Sequence, residues 1–515
     1  MNAAALALAG LAGLLHAAAI AWPWGGQPLW PLQIASLALL AGLLLRTASP
    51  WRATLLGLLF ALAWLAGSFW WLFISMHRYG GLAAPLAAAA VLALAGFLGL
   101  YTAAAAHMAV RWRAAAGAAW PGLFAAGWLL AELLRATWFT GFPWGASGYA
   151  HVEGPLAALA PWIGVHGIGA VAAAIAALIA QGVAGARATR RAGGLALAGL
   201  SLVVALAHVV APGDTRPLAQ PPLAVALLQG NIPQDEKFQR GTGVAVALQW
   251  YGQQLREARA DLVVAPETAL PMLPHQLPDG YLPAIQAAYA GPERIALVGV
   301  PLGSYEAGYT NSVIGLRAGE IAYRYDKHHL VPFGEFIPPL FKWFTRLMNI
   351  PLGDFNRGDV GQPSMAWKGQ RLAPNICYED LFGEELAARF LRPEEAPTIF
   401  VNLSNIAWFG DSVAIDQHLQ ISRMRALEFR RPMLRATNTG ATVIIDREGR
   451  VTHSLPRLTR GVLAGKVQGG DGLTPYAWWA ARFGLWPLWL LALGTLMLAA
   501  RVSARRAPGD PGVPR

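Results

Sequence analysis

Three side chains in this sequence have the types and surroundings that acyl transfer needs. Cys377, the only cysteine among 515 residues, sits in Asn375-Ile376-Cys377-Tyr378-Glu379-Asp380. Glu267 follows the apolar run 261–265 and Pro266, and Lys327 follows the run 321–325. A thiol attacks a carbonyl as its thiolate. With a pKa near about 8.5, a free thiol is only a few per cent ionised at neutral pH, so a neighbouring base or cation is required. A carboxylate can remove the thiol proton and return it to the leaving group. An ammonium can hold the oxyanion of the tetrahedral intermediate. Taken singly, each residue has an ordinary reading: a buried cysteine as a small hydrophobe, a paired glutamate, a solvated lysine. The adjacent His328 and His329 lack Asp, Glu or Cys at ligand spacing, so they read as loop polar groups, and no metal or cofactor is expected.

The elements that must position these groups are short buried strands. Residues 371–376 read as a strand, and the spacing of apolar residues over 381–390 predicts a helix. Cys377 then lies at a strand-to-helix junction, where the helix N-terminus favours the thiolate. Further strands are expected at 223–228, 261–265, 295–299, 312–316, 321–325, 398–402 and 433–437, with helices over 242–259 and 415–430. Strands alternating with helices, and several hairpins among them, predict a layered α/β domain across 220–467, sheets inside and helices outside.

The rest of the chain is different in kind. Charged residues make up 13% of the whole and hydrophobic ones 55%, against about 25% charged in a soluble domain. Seven apolar runs, at 3–21, 28–45, 54–76, 82–110, 117–137, 155–182 and 193–211, precede the α/β domain. An eighth lies within 480–501, and 502–515 form a tail. Each is long enough to cross a hydrocarbon core of about 30 Å as a helix. The first run starts at once without a basic leader, so no cleavable signal peptide is expected. With the N-terminus inside, Arg46, Arg52, Arg111, Arg113, Arg187, Arg190, Arg191, Arg501, Arg505, Arg506 and Arg515 fall on the inner side, and only Arg78 and Arg135 on the outer. This bias places 213–480 outside the cytoplasm. The net charge of +11 reads as topology signal, so no nucleic-acid partner is expected. Glu132 and Arg135, three apart on the fifth run, can pair along one helix face. One cysteine excludes an intramolecular disulfide.

The stretches Val263-Val-Ala-Pro-Glu-Thr268, Tyr325-Asp-Lys-His-His-Leu-Val-Pro-Phe-Gly-Glu335 and Asn375–Asp380 together resemble the nitrilase superfamily, with its Glu-Lys-Cys triad at strand ends. Gln229–Gln234, Asn402–Asp411 and Arg423–Glu428 support the likeness. With seven spans before that domain, one after it, and Glu132-Leu-Leu-Arg135 followed by Gly141-Phe-Pro-Trp144, the whole chain is similar to the apolipoprotein N-acyltransferase family, a membrane-embedded branch. The resemblance implies an αββα sandwich and eight transmembrane helices in a bacterial inner membrane, with the catalytic domain periplasmic. It implies a monomer that moves an acyl chain from a phospholipid, typically phosphatidylethanolamine, through a cysteine thioester to a diacylglyceryl apolipoprotein. Glu267 would be the general base and acid, Lys327 the oxyanion partner and Cys377 the nucleophile. Glu335 would support Lys327, and Glu379 with Tyr378 would order the pocket. Phe238, Asn311, Pro338, Trp408 and Phe409 are expected against substrate. Phe238 departs from the tryptophan common in the family.

Residues 339–350 are unusually apolar for a loop. As a helix they would set Leu340, Phe341, Phe344, Leu347 and Met348 over an apolar face toward lipid, while Lys342, Thr345 and Arg346 reach headgroups, and Phe341, Trp343 and Phe344 are also expected against substrate. Two other classes fit parts of the sequence. A membrane-tethered amidase would share the triad without needing the apolar arm. A transporter or receptor with an external domain would not depend on Cys377 for activity.

Overall fold

The computed structural model describes residues 3–184, 187–239, 241–317, 319–338 and 354–506. They form two compact units: one of Met1–Trp70, Ala89–Val210 and Leu485–Arg515, the other of Trp71–Ala88 and Ala211–Gly484.

In the first unit, helices at Ala3–Ile20, Pro50–Phe69, Ala84–Arg111, Arg113–Thr140, Pro155–Ala184, Arg190–Val209 and Trp486–Arg506 are apolar and long enough to cross a membrane. Trp30–Leu45 is a shorter apolar helix of 16 residues, about 24 Å long at 1.5 Å per residue. Local chemistry starts these helices. Pro50 opens one, and the hydroxyl of Ser49 accepts from the Arg52 N–H at 3.4 Å, a cap with proline at the first position. The third run stops earlier than its apolar residues predict. Its helix ends at Phe69, and a π-helical turn follows at Ser75–Tyr79. Glu132 and Arg135 both serve the loop that follows their helix. Glu132 Oε1 accepts from the Ser147 N–H at 2.8 Å and hydroxyl at 2.7 Å. Arg135 donates to the Phe142 and Trp144 carbonyls. Together they satisfy a non-helical loop that an apolar setting would otherwise leave unpaired.

The second unit is a sandwich of two six-stranded sheets. In chain order its strands are β1 (Leu223–Gln229), β2 (Leu262–Ala265), β3 (Ile295–Ser304), β4 (Gly308–Arg317), β5 (Glu320–Asp326), β6 (Met365–Trp367), β7 (Gln370–Ile376), β8 (Ile399–Ser404), β9 (Met433–Thr437), β10 (Val443–Ile445), β11 (Val451–Ser454) and β12 (Gly461–Val467). One sheet runs β12-β1-β2-β3-β4-β5, the other β11-β10-β9-β8-β7-β6. Each has three parallel strands at its centre, β1-β2-β3 and β7-β8-β9, flanked by antiparallel neighbours. The alternation along each strand assigns its faces. Leu223, Val225 and Leu227 of β1 meet Leu372, Ile376, Val401 and Leu434 of the other sheet in the middle layer. Ala226 and Leu228 turn outward under α1 (Gly243–Glu257) and α2 (Tyr281–Ala287). On the far side, Phe400 and Met433 pack under α3 (Ala414–Phe429) and α4 (Pro475–Phe483). The result is helix, sheet, sheet, helix. Glu267, Lys327 and Cys377 each come one or two residues after a strand, where open α/β sheets place their ligands.

Candidate active site

Glu267 is held at both ends of its side chain. Its Oε1 accepts from Asn311 Nδ2 at 2.7 Å and lies 3.5 Å from Lys327 Nζ; its Oε2 accepts from the Asn405 N–H at 2.8 Å. Its backbone is fixed by close approach. A Cβ added at Gly299 of β3 would sit 2.3 Å from the Pro266 carbonyl oxygen, so glycine alone admits this contact. Lys327 is 1% exposed, and its Nζ lies 2.9 Å from Glu335. Asn311 Nδ2 also donates to Glu335 Oε1 at 2.7 Å, closing a ring of two carboxylates, one amide and one ammonium. Burial alone would push Lys327 down. Glu335, Glu267 and then Cys377 outweigh it and hold the ammonium above the usual lysine range.

Cys377 sits at a sharp corner with φ of 52°, in the left-handed region. Its carbonyl accepts from Asn402 Nδ2 at 3.2 Å and lies 3.2 Å from His418 Nε2. Its Sγ accepts from the Ser404 hydroxyl at 3.2 Å. The helix expected after it is broken up: a 3-10 turn over Cys377–Leu381, then five α-helical residues at Gly383–Ala387. The helix-terminus argument for a ready thiolate therefore fails. Burial, reinforced by Glu267, pushes the thiol up to about 12, against the pull of Lys327, Ser404 and Asn405. The thiol is thus held in its neutral form, and to act as a nucleophile it would have to hand over its proton.

Glu379 is a pillar under this corner. It accepts from the Tyr325 hydroxyl at 2.8 Å and from the N–H groups of His328 at 2.7 Å, His329 at 3.2 Å and Ile376 at 2.6 Å. It thereby ties the loop after β5, which carries Lys327, to the end of β7, which carries Cys377. Burial raises its carboxyl above the usual range in spite of these bonds. Tyr378 is buried, its ring 5.3 Å from Phe382. His328 and His329 are bound locally, to the Gly358 carbonyl and to Glu385, and the described residues contain no metal-binding cluster.

Residues 11–178 match the apolipoprotein N-acyltransferase N-terminal domain, and residues 224–472 match the carbon-nitrogen hydrolase family. An apolipoprotein N-acyltransferase of Verminephrobacter eiseniae is 60% identical over 502 residues, covering 92% of each chain. One of Ralstonia nicotianae is 47% identical, covering 98% of this chain and 94% of its own. The chain belongs to the apolipoprotein N-acyltransferase family. A solved carbon-nitrogen hydrolase from Helicobacter pylori G27 is similar over 52% of this chain and 94% of its own, at 15% identity and a TM-score of 0.35.

Membership makes the chain an enzyme of acyl transfer, and its remaining candidate residues divide by position. Asn311 belongs to the carboxylate ring, and its Oδ1 has no partner among the described residues. Phe238 is half-buried in the turn after β1. Trp408 meets Tyr79 edge-on at 5.9 Å, and Phe409 lies 4.2 Å from Trp71. Pro338 is half-buried, while Phe341, Trp343 and Phe344 fall outside the described residues. Several members of this acyltransferase site carry no signal in a single sequence. Ser404 and Asn405 lie inside the stretch 402–411, yet nothing there marks which of them touches the thiol or Glu267. Lys237 donates to the Glu267 carbonyl at 3.1 Å, and only its place within ten residues of Gln229-Gly-Asn hints at it. Trp71, on the loop between two apolar helices, donates to Gln417 Oε1 at 3.0 Å.

Proposed function

We propose that this chain N-acylates bacterial apolipoproteins in two half-reactions at Glu267, Lys327 and Cys377. In the first, the Cys377 proton passes to Glu267 as Sγ attacks the sn-1 ester carbonyl of a phospholipid, with phosphatidylethanolamine the expected donor. Lys327 meets the oxyanion. The C–O bond breaks, Glu267 returns the proton to the leaving lysophospholipid oxygen, and a thioester remains. In the second, the neutral α-amine of a diacylglyceryl cysteine attacks the thioester. Its proton passes by way of Glu267 to the departing Cys377 sulfur, and the amide is released.

The convergence of one carboxylate, one buried ammonium and the only thiol at adjoining strand ends carries this reading. The relatives' name supports the acceptor, and the long apolar helices support donor and acceptor that both reside in a bilayer. The enzyme works as a monomer in the bacterial inner membrane, with residues 213–480 on the periplasmic side. The distribution of arginines supports that orientation; phosphatase fused after residue 300 should be active, and inactivity there would reverse it.

The decisive test is the intact mass of the enzyme after incubation with phospholipid alone. One acyl chain should appear on the Cys377 peptide, leave with hydroxylamine, and transfer to an added diacylglyceryl lipopeptide. A Cys377→Ser enzyme that still acylates the lipopeptide at the native rate would overturn the covalent mechanism.

A further inference from the structure

Lys237 holds a charge that the two half-reactions leave unused. It lies in the turn between β1 and α1 and is 2% exposed, whereas its neighbours Asp235 and Glu236 remain in solvent. Asp235 pairs with Arg78 at 3.6 Å. The chain thus turns Lys237 inward and leaves the two acids before it outside, the reverse of what solvation favours. An ammonium has three N–H donors. This one has a single hydrogen-bond acceptor among the described residues, the Glu267 backbone carbonyl at 3.1 Å. The same turn grips Glu267 a second time: Gln234 Oε1 accepts from Asn405 Nδ2 at 2.8 Å, and the Asn405 N–H donates to Glu267 Oε2 at 2.8 Å.

The placement answers a problem of the site. Glu267 and Glu335 share both the Asn311 amide and the Lys327 ammonium. Two buried carboxylates therefore lean on one ammonium, and Lys237 brings a second cation to the Glu267 side. Burial lowers Lys237 to about 8, with Glu267 and then Cys377 pulling it back up, so its charge couples to both reacting groups.

We propose that Lys237 is a positioning residue for acyl transfer, clamping the Glu267 backbone and setting a second positive charge beside the carboxylate that takes the Cys377 proton. The inference rests on the assignment of Glu267 as base. The charged and titratable groups facing Glu267 are Lys327, Lys237, the neutral Cys377 thiol and, across Asn311, Glu335.

The test is the pH profile of acyl-enzyme formation from phospholipid vesicles by the full-length enzyme. Lys237→Met keeps the length of the side chain and removes the charge. Its acid limb should move to higher pH, and a one-unit move slows acylation about tenfold at a pH on that limb. The KM for phospholipid should hold. Lys237→Arg should restore the native limb. A role confined to packing predicts neither the shift nor the rescue. A Lys237→Met enzyme with the native limb overturns the proposal, as does a Lys237→Arg enzyme shifted like Lys237→Met. Glu267→Gln separates the two readings: native-rate acylation there removes the base assignment itself, whereas an inactive Glu267→Gln beside an unshifted Lys237→Met removes only the role of Lys237.

Discussion

At the scale of single residues, the site works against its own surroundings. Cys377 is held neutral by burial, and Lys327 is held charged by two carboxylates although burial opposes it. The carboxylates thus favour the charged form of Lys327. Lys327→Met retains most of the stem and removes the oxyanion partner. Loss of one such donor costs roughly 10²–10³ in rate, and loss of a full charge at least that. The expected outcome is slow acylation at unchanged phospholipid binding, measured as single-turnover acyl-enzyme formation; acylation within threefold of native would remove Lys327 from the oxyanion role. Glu267, Lys327 and Cys377, the residues proposed to react, were legible because each stands in a distinctive stretch after a strand. Asn311, Ser404, Asn405 and Lys237 were harder, because an amide, a hydroxyl or a lysine becomes informative only when its partner across the sandwich is known. Asn405 and Glu267 are 138 positions apart in sequence and 2.8 Å apart in space.

At the scale of elements, α3 and β9 brace the corner that carries Cys377. Asp380 Oδ1 lies 2.9 Å from His418 Nε2, and its Oδ2 accepts from the Ser422 hydroxyl at 2.5 Å and from Arg435 Nη1 at 3.3 Å. Arg435 Nη2 lies 2.8 Å from His418 Nδ1. A guanidinium can only donate, so Nδ1 accepts, and Nε2 carries the hydrogen shared by Asp380 and the Cys377 carbonyl. His418 is thus neutral, and burial followed by Arg435 lowers its pKa. Asp380 is lowered too: burial would raise it, but His418 and Arg435 prevail. Both groups have folded values below their unfolded ones, so both contribute stability at neutral pH. The His418 share is lost as pH falls below about 6.5, and the Asp380 share as it falls below about 3.9. His418→Asn should flatten the melting-temperature profile between pH 7 and 5. Asp380→Asn leaves Arg435 without its carboxylate and should cost about 3–5 kcal/mol, measured by denaturant unfolding of the catalytic unit. A variant within 1 kcal/mol of native would mean that the network is not holding the corner. Strands such as β1 and β2 could be read from their apolar runs. The segment after Cys377 was misread because Phe382, Leu386 and Phe390 repeat with helical spacing, while the pillar bonds to Glu379 impose a 3-10 turn first. The pattern of burial was legible there, and the hydrogen bonding was not.

At the scale of the whole molecule, the change in composition near residue 212 marks where apolar helices give way to the sandwich, but it hides one exchange. Trp71–Ala88 joins two apolar helices in sequence and belongs to the catalytic unit in space. Read as a sequence, this segment is the end of the third run at 54–76, a short outer loop and the start of the fourth run at 82–110. Trp71 is instead 1% exposed, with its ring on Phe409 and its indole N–H on Gln417 of α3. Phe409 follows Ser404 and Asn405 on one chain segment, and α3 carries His418 one residue beyond Gln417. The segment that leaves the membrane helices thus completes the packing beside the candidate site, and a catalytic unit cut out as 211–484 would lack it. Truncating a buried tryptophan to alanine typically costs about 3–5 kcal/mol, whereas Trp71→Phe keeps the ring contact and forfeits one hydrogen bond, about 1 kcal/mol. The expected order of stability is therefore native, then Trp71→Phe, then Trp71→Ala, read from denaturant unfolding of the full chain followed by fluorescence. Because Phe409 and Gln417 adjoin residues that touch Cys377, Trp71→Ala should also slow alkylation or acylation of that thiol, and Trp71→Phe should not. Equal stability of all three proteins would show that the loop merely covers the catalytic unit without supporting it.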